Sequence, residues 1–164
     1  MARRMLGRMY EGEDCAAARA LELVGERWSL LILRDALFRH FTRYSQFQSS
    51  LAIAPNILAK RLNTLVEAGI LRTHALESRG QEYLLTEMGQ SLKPVIVSLT
   101  RWGDHWIGPG PVDIVHQQCG TEVEYEIHCA ACGDDVDLAD VQTRLRSRQP
   151  AEYGANGIRS AGTV

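Results

Sequence analysis

Apolar positions recur at helical spacing through most of the first 107 residues, interrupted once by two short alternating runs. In "CAAARALELV" they predict a short helix, with Asp14 as its N-cap and Gly25 at its end. In "RWSLLILRDALF", residues 27–38, Trp28, Leu31, Ile32, Leu37 and Phe38 cover most of the circumference, which predicts a central, buried helix. "FTRYSQFQSSL" reads as a turn and a short helix. "AIAP" then makes a tight connection, with Pro55 suited to the first turn of the next helix. That helix stops at Gly69. "ILRTHALES" and "EYLLT" predict two strands, with "RGQ" turning between them. Thr86 caps a long final helix over 87–107, whose Met88, Leu92, Val95, Ile96, Leu99, Trp102 and Trp106 step by three and four. Pro94 inside it predicts a bend rather than an end.

The pattern changes after residue 107. "GPGPVD" marks a linker over 108–115, a Cys/His-containing module follows over 116–141, and 142–164 is polar and Gly-rich with little expected regular structure. An N-terminal arm over 1–14 and a main domain over 15–107 complete the predicted organisation. No apolar run reaches the roughly 18 to 20 residues of a membrane span. The N-terminus has basic residues but no continuous apolar core, so a cytoplasmic protein is expected. The net charge of −2 hides an asymmetry. Residues 1–110 carry 14 Lys/Arg against 11 Asp/Glu, whereas 111–164 carry 4 against 9. A mildly basic body permits nucleic-acid binding without requiring it.

The order helix, short helix, tight turn, helix, two-stranded hairpin, helix is that of a winged helix–turn–helix domain. The expected class is therefore mainly α (α+β): this domain, a long C-terminal dimerisation helix, and a small C-terminal hairpin resembling a zinc ribbon. A recognition helix needs one apolar stripe to hold it and an opposite face free for the major groove. In "APNILAKRLNTLVEAGIL", Leu58, Leu62, Leu65 and Val66 cluster on one side. Pro55 starts the helix; Asn56, Lys60, Asn63 and Thr64 face outward, with Ile57 and Arg61 at the flanks. Asn and Lys near the N-terminal half can reach base edges, and Arg61 is placed for a phosphate. Arg79 at the hairpin tip is a candidate wing contact.

"CAAARALELVGERWSLLILRDALF", "YSQFQSSL", "APNILAKRLNTLVEAGIL", "EYLLTEMGQSLKPV" and "RWG" follow one another at a spacing that resembles the HxlR-type winged helix–turn–helix regulators of the MarR-like superfamily. The resemblance covers 15–103. It implies a homodimer that sets one recognition helix per protomer on an inverted-repeat operator in double-stranded DNA, as a transcriptional repressor. It also implies dimerisation through the terminal helices, which agrees with the stripe Leu92, Val95, Ile96, Leu99, Trp102 and Trp106. The wing, "LESRGQEY", carries fewer basic residues than many family members have. The resemblance further places Cys15 where some members hold a cysteine that senses oxidants or electrophiles. Arg19 one turn on favours a reactive thiolate there, whereas Glu11, Glu13 and Asp14 oppose it. A small-molecule or electrophile effector is in keeping with the family, but no residue pattern identifies one.

His116-x-x-Cys119 and Cys129-x-x-Cys132 are the ligand spacing of a zinc ribbon, in which four N/S donors close a tetrahedral structural site. His128 is a competing fourth donor. "TEVEYEI" between the pairs alternates as a strand should. The alternative is a small hairpin with unmetallated thiols. No Gly-rich phosphate loop, nucleophile elbow or His-Glu-x-x-His helix is present, so no enzyme is expected. The competing non-enzymatic reading is a winged-helix protein-interaction module without specific DNA binding.

Overall fold

The inward stripes predicted above converge on one buried cluster. Ile32, Leu33, Phe47, Leu58, Leu62, Leu65, Ile70 and Leu71 are almost wholly excluded from solvent. A computed structural model describes residues 15–76, 80–123 and 126–144. The chain divides into two units, Met1–Val123 and Glu124–Val164.

In the first unit, α1 (Ala16–Val24) leads to α2 (Arg27–Phe38), α3 (Tyr44–Leu51) and α4 (Pro55–Glu67). An antiparallel hairpin follows, β1 (Leu71–Ala75) and β2 (Gln81–Leu85), and then α5 (Glu87–Gln90) and α6 (Lys93–Trp106). α2 buries Ile32, Leu33, Ala36 and Leu37 and also Ser29 and Asp35, as its wide apolar surface predicts for a central helix. The N-cap position of α1 is Cys15, which makes no side-chain cap bond; the predicted cap, Asp14, lies outside the described residues. Pro55 occupies the first turn of α4, where its missing N–H removes no helical bond.

β1 pairs with β2 from Leu71 opposite Leu85 to Ala75 opposite Gln81. Tyr83 is the buried residue of β2, at 5% exposure. The hairpin is tied to the segment before α3: Tyr83 N–H donates to Thr42 O at 2.8 Å, and Arg43 forms an isolated bridge with Glu82. The base of the wing is thereby fastened to the start of the helix–turn–helix.

One expectation is corrected. The final helix is not continuous over 87–107. Thr86 does cap it, its Oγ1 accepting Gly89 N–H at 3.2 Å, but α5 ends at Gln90 and α6 begins at Lys93. Pro94 lies in the first turn of α6, so it starts a helix instead of bending one, as its missing donor favours. The expected "TEVEYEI" strand includes residues 124 and 125, which lie outside the described residues. Val115↔Glu122 in the first unit and His128↔Asp135 in the second are isolated bridges.

Burying a leucine side chain contributes about 1.5–3 kcal/mol, so Leu58, Leu62 and Leu65 hold α4 strongly. Leu62→Ala is expected to cost about 2–5 kcal/mol in urea unfolding, whereas Asn63→Ala on the outward face should stay within about 0.5 kcal/mol.

Candidate nucleic-acid interface

α3 and α4 are joined through a three-residue turn in which Ala52 takes the left-handed conformation, φ 47° and ψ 35°. Two polar contacts fix the geometry around it. Tyr44 of α3 donates its hydroxyl to Pro55 O at 2.8 Å, at the start of α4. Ser50, late in α3, donates to Asp35 Oδ2 of α2 at 2.6 Å. Asp35 is fully buried and also meets Arg34, whose Nε and Nη2 lie 2.9 and 2.8 Å from Oδ1. A buried carboxylate is tolerable only when its oxygens are satisfied. Here both are: Oδ2 by Ser50 of α3, and Oδ1 by Arg34, with Arg39 Nε 3.7 Å from it.

The leucine stripe of α4 turns a definite set of residues outward. Pro55, Asn56, Ile57, Lys60 and Asn63 are exposed. Ile57, at 37% exposure, presents an aliphatic side chain of the kind that packs on a thymine methyl. Thr64 is half-buried and donates its hydroxyl to Lys60 O at 3.0 Å, within its own helix. Arg61 Nη2 lies 2.7 Å from Glu26 Oε1, at the N-terminus of α2. Arg79 lies outside the described residues.

Two cations escaped the sequence reading. Arg72 on β1 is exposed and has no ion pair among the described residues. Arg43 sits at the N-cap of α3, with its Nε 3.3 Å from Glu82 Oε1. In β1 only Leu71 is buried, and Arg72 to Ala75 are all exposed. Nothing in sequence signalled that a loop arginine would join a strand 39 residues later.

The expected dimer stripe splits in two. Ile96 is buried at 4% exposure in the protomer's own core, and Leu92 packs against that core. The reason is that the first half of α6 lies on α2. Val95, Leu99, Trp102 and Trp106, spaced by four, three and four, remain 48%, 50%, 56% and 70% exposed. Cys15 is also exposed.

The Cys/His segment contains two turns of the same local form, one in each unit. In the first, His116 N–H donates to Thr121 O and Gly120 N–H donates to His116 O, both at 2.8 Å. In the second, Cys129 N–H donates to Asp134 O at 2.9 Å and Gly133 N–H donates to Cys129 O at 2.8 Å. Gly120 and Gly133 both take positive φ, 70° and 77°, which a side chain would disfavour. His116 Nδ1 is 3.3 Å from Cys119 Sγ. Two donors on one tetrahedral zinc would stand about 3.6 Å apart. The hydroxyl and N–H of Thr121 hold the Cys119 thiol below its ordinary pKa, and the N–H groups of Cys132 and Ala131 do the same for Cys129. His128 Nδ1, by contrast, is 2.6 Å from Asp135 Oδ1 and already engaged.

A tight helix–turn–helix with an outward polar face, followed by a hairpin fastened at its base, defines a winged helix–turn–helix protein. The comparisons narrow this class. The model of the HxlR-like helix-turn-helix family matches residues 23–111, and the chain belongs to that family. It is 39% identical over 142 residues to an uncharacterised HTH-type transcriptional regulator of Mycobacterium tuberculosis H37Rv, across 83% of this chain and 87% of the relative. A crystal structure of PA1607, described as a candidate transcription factor, is similar at TM-score 0.74 and 35% identity, covering 82% of this chain and 96% of the other. PA1374 of Pseudomonas aeruginosa, described in the same terms, is similar at TM-score 0.60 and 35% identity, with coverages of 84% and 97%. The protein is a transcriptional regulator with a helix–turn–helix DNA-binding domain. Its relatives are regulators and not enzymes. No helix among the described residues is long and apolar enough to cross a membrane.

Because Ser50 satisfies half of a buried carboxylate, Ser50→Ala is expected to cost about 1.5–3 kcal/mol. Thermal unfolding checks this, and a loss below about 0.5 kcal/mol would show that Asp35 does not depend on α3.

Proposed function

We propose that the protein is a cytoplasmic, homodimeric repressor that binds an inverted-repeat operator sequence-specifically and blocks transcription by occupying it. The observation that carries the reading is the outward face of α4, where Asn56, Ile57, Lys60 and Asn63 stand exposed on a helix anchored by three fully buried leucines. Asn pairs with adenine, Lys with guanine, and Ile57 suits a thymine methyl. Pro55 carries no N–H and Ile57 N–H already donates to Ala54 O at 3.0 Å, so the first-turn amide offered to a phosphate is that of Asn56. Arg72 and the wing residue Arg79 supply backbone attraction, and Thr64 packs beside the base-reading side chains.

Dimerisation is supported by Val95, Leu99, Trp102 and Trp106, four large apolar side chains exposed on one helix face among the described residues. Such a stripe favours burial against a second copy. Each protomer then presents one α4, and successive half-sites would lie about 34–36 Å apart. Cys15, exposed at the start of α1, is proposed as a thiol through which an oxidant or electrophile lowers operator affinity.

A structural zinc ion is proposed for His116, Cys119, Cys129 and Cys132. Its support is the ligand spacing, the matching hydrogen bonds of the two turns taken singly, and the engagement of His128 by Asp135. Zinc there would be closed to catalysis and would act by folding the segment.

Selection of duplexes from a random library by the full-length protein should enrich a two-fold-symmetric sequence, bound with a steep loss of affinity as salt rises. Enrichment of nothing would leave a protein-interaction module. Leu99→Asp together with Trp102→Asp should convert the dimer to monomer by sedimentation and weaken operator binding at least about 100-fold; a dimer that persists removes the stripe as the interface. Protein purified without chelator should carry about one zinc per chain, and less than about 0.2 would count against the site.

A further inference from the structure

Arg61 leaves α4 at the border between its buried and outward sides. Its side chain is only 20% exposed, against 43% for its partner Glu26. Arg61 Nε is buried and has no hydrogen-bond partner among the described residues. A guanidinium in this position gives up hydration and recovers only part of it from a single carboxylate. An apolar side chain of similar length would hold the two helices together at lower cost, so stability is a poor reason for the pair.

The pair adds direction. Leu58, Leu62 and Leu65 anchor α4 by contacts that have little angular preference, and such contacts tolerate a small roll of the helix about its axis. An ion pair to a fixed point does not. Glu26 is such a point: it is the N-cap residue of α2, with extended backbone, and its carboxylate faces Trp28 N–H at 3.5 Å. The positive end of α2 favours a negative charge there. The side chain of Lys60, the neighbouring residue, is exposed and without a partner among the described residues, so the two adjacent cations of α4 differ in what is left for DNA.

We propose that Glu26 is a positioning residue for DNA recognition. By holding Arg61 it sets the roll of α4, and it withholds that cation from the phosphates. Sequence readout is then left to Asn56, Ile57, Lys60 and Asn63, with less sequence-blind attraction competing against it. This rests on the DNA-binding reading above.

The test compares wild type, Glu26→Gln, Arg61→Met and Lys60→Ala on a duplex enriched by wild type and on an unselected duplex, across a salt series. Glu26→Gln frees Arg61. It should bind unselected DNA more tightly, steepen the salt dependence by about one per protomer, and reduce the selected-to-unselected ratio at least about fivefold. Arg61→Met should reduce that ratio while leaving the salt slope unchanged, whereas Lys60→Ala should relax the preference at the base position it reads. If Arg61→Met flattens the slope by about one per protomer, Arg61 sits on a phosphate and the proposal fails. It also fails if Glu26→Gln changes neither slope nor ratio.

A double-mutant cycle in urea unfolding reads the pair without DNA. Coupling of at least about twofold in the unfolding equilibrium is expected, and additive losses would show that no clamp exists. Should wild type enrich no duplex, the DNA-binding reading falls, and a coupled cycle would then mark the pair as a structural tie only, which overturns the positioning role as well. A wild type that enriches a sequence, with an additive cycle, sinks the clamp alone.

Discussion

The structure depends on the complete burial of Leu58, Leu62 and Leu65 along one side of α4. A helix has a fixed angular relation between its residues. Committing those three positions to the core therefore commits Asn56, Lys60 and Asn63 to the surface. The core and the recognition face are one decision. Contacts between α4 and α2, and between α4 and β1, hold this arrangement from two directions, and the turn at Ala52 sets the entry angle. Asp35 adds a polar constraint at the middle of the assembly, because the carboxylate that Ser50 satisfies cannot be left without a partner.

Elements whose cause is local were legible in the sequence. The bounds of α2 follow from its apolar pattern, and Pro55 marks the start of α4 within one residue. The two strands were visible as alternation between turn signals. Pro94 was misread for a local reason too: a proline in a periodic segment either kinks a helix or begins one, and the period does not choose. The break at Ser91 and Leu92 chose the second. The turn geometry of the Cys/His segment likewise follows the positions of Gly120 and Gly133.

Functional residues were harder to read where a distant partner decides their state. The pattern around Arg61 carries no sign of Glu26, 35 residues earlier, which the fold places beside it. Ile96 has the same three-and-four spacing as Leu99 and Trp102, and only the packing of α6 on α2 assigns it to the protomer's own core. Arg43 and Arg72 were overlooked because a charge in a loop or strand carries no sign of what it will meet. Periodicity tells which side of an element is apolar. It does not tell which part of that side is already occupied.

The fastening of β2 to Thr42 and Arg43 bears on how this wing can change among related proteins. Side chains on a strand alternate, so sliding β2 by one residue would turn Tyr83 out of the core and Glu82 toward it. A length change next to β2 is thus penalised by a buried charge and by the loss of the Thr42 bond. Length added between the strands is not, since the pairing from Leu71 with Leu85 to Ala75 with Gln81 can stay as it is. Variation in this wing should gather at its tip and spare its base, leaving reach and charge free to diverge while the angle at which the hairpin leaves the domain is inherited.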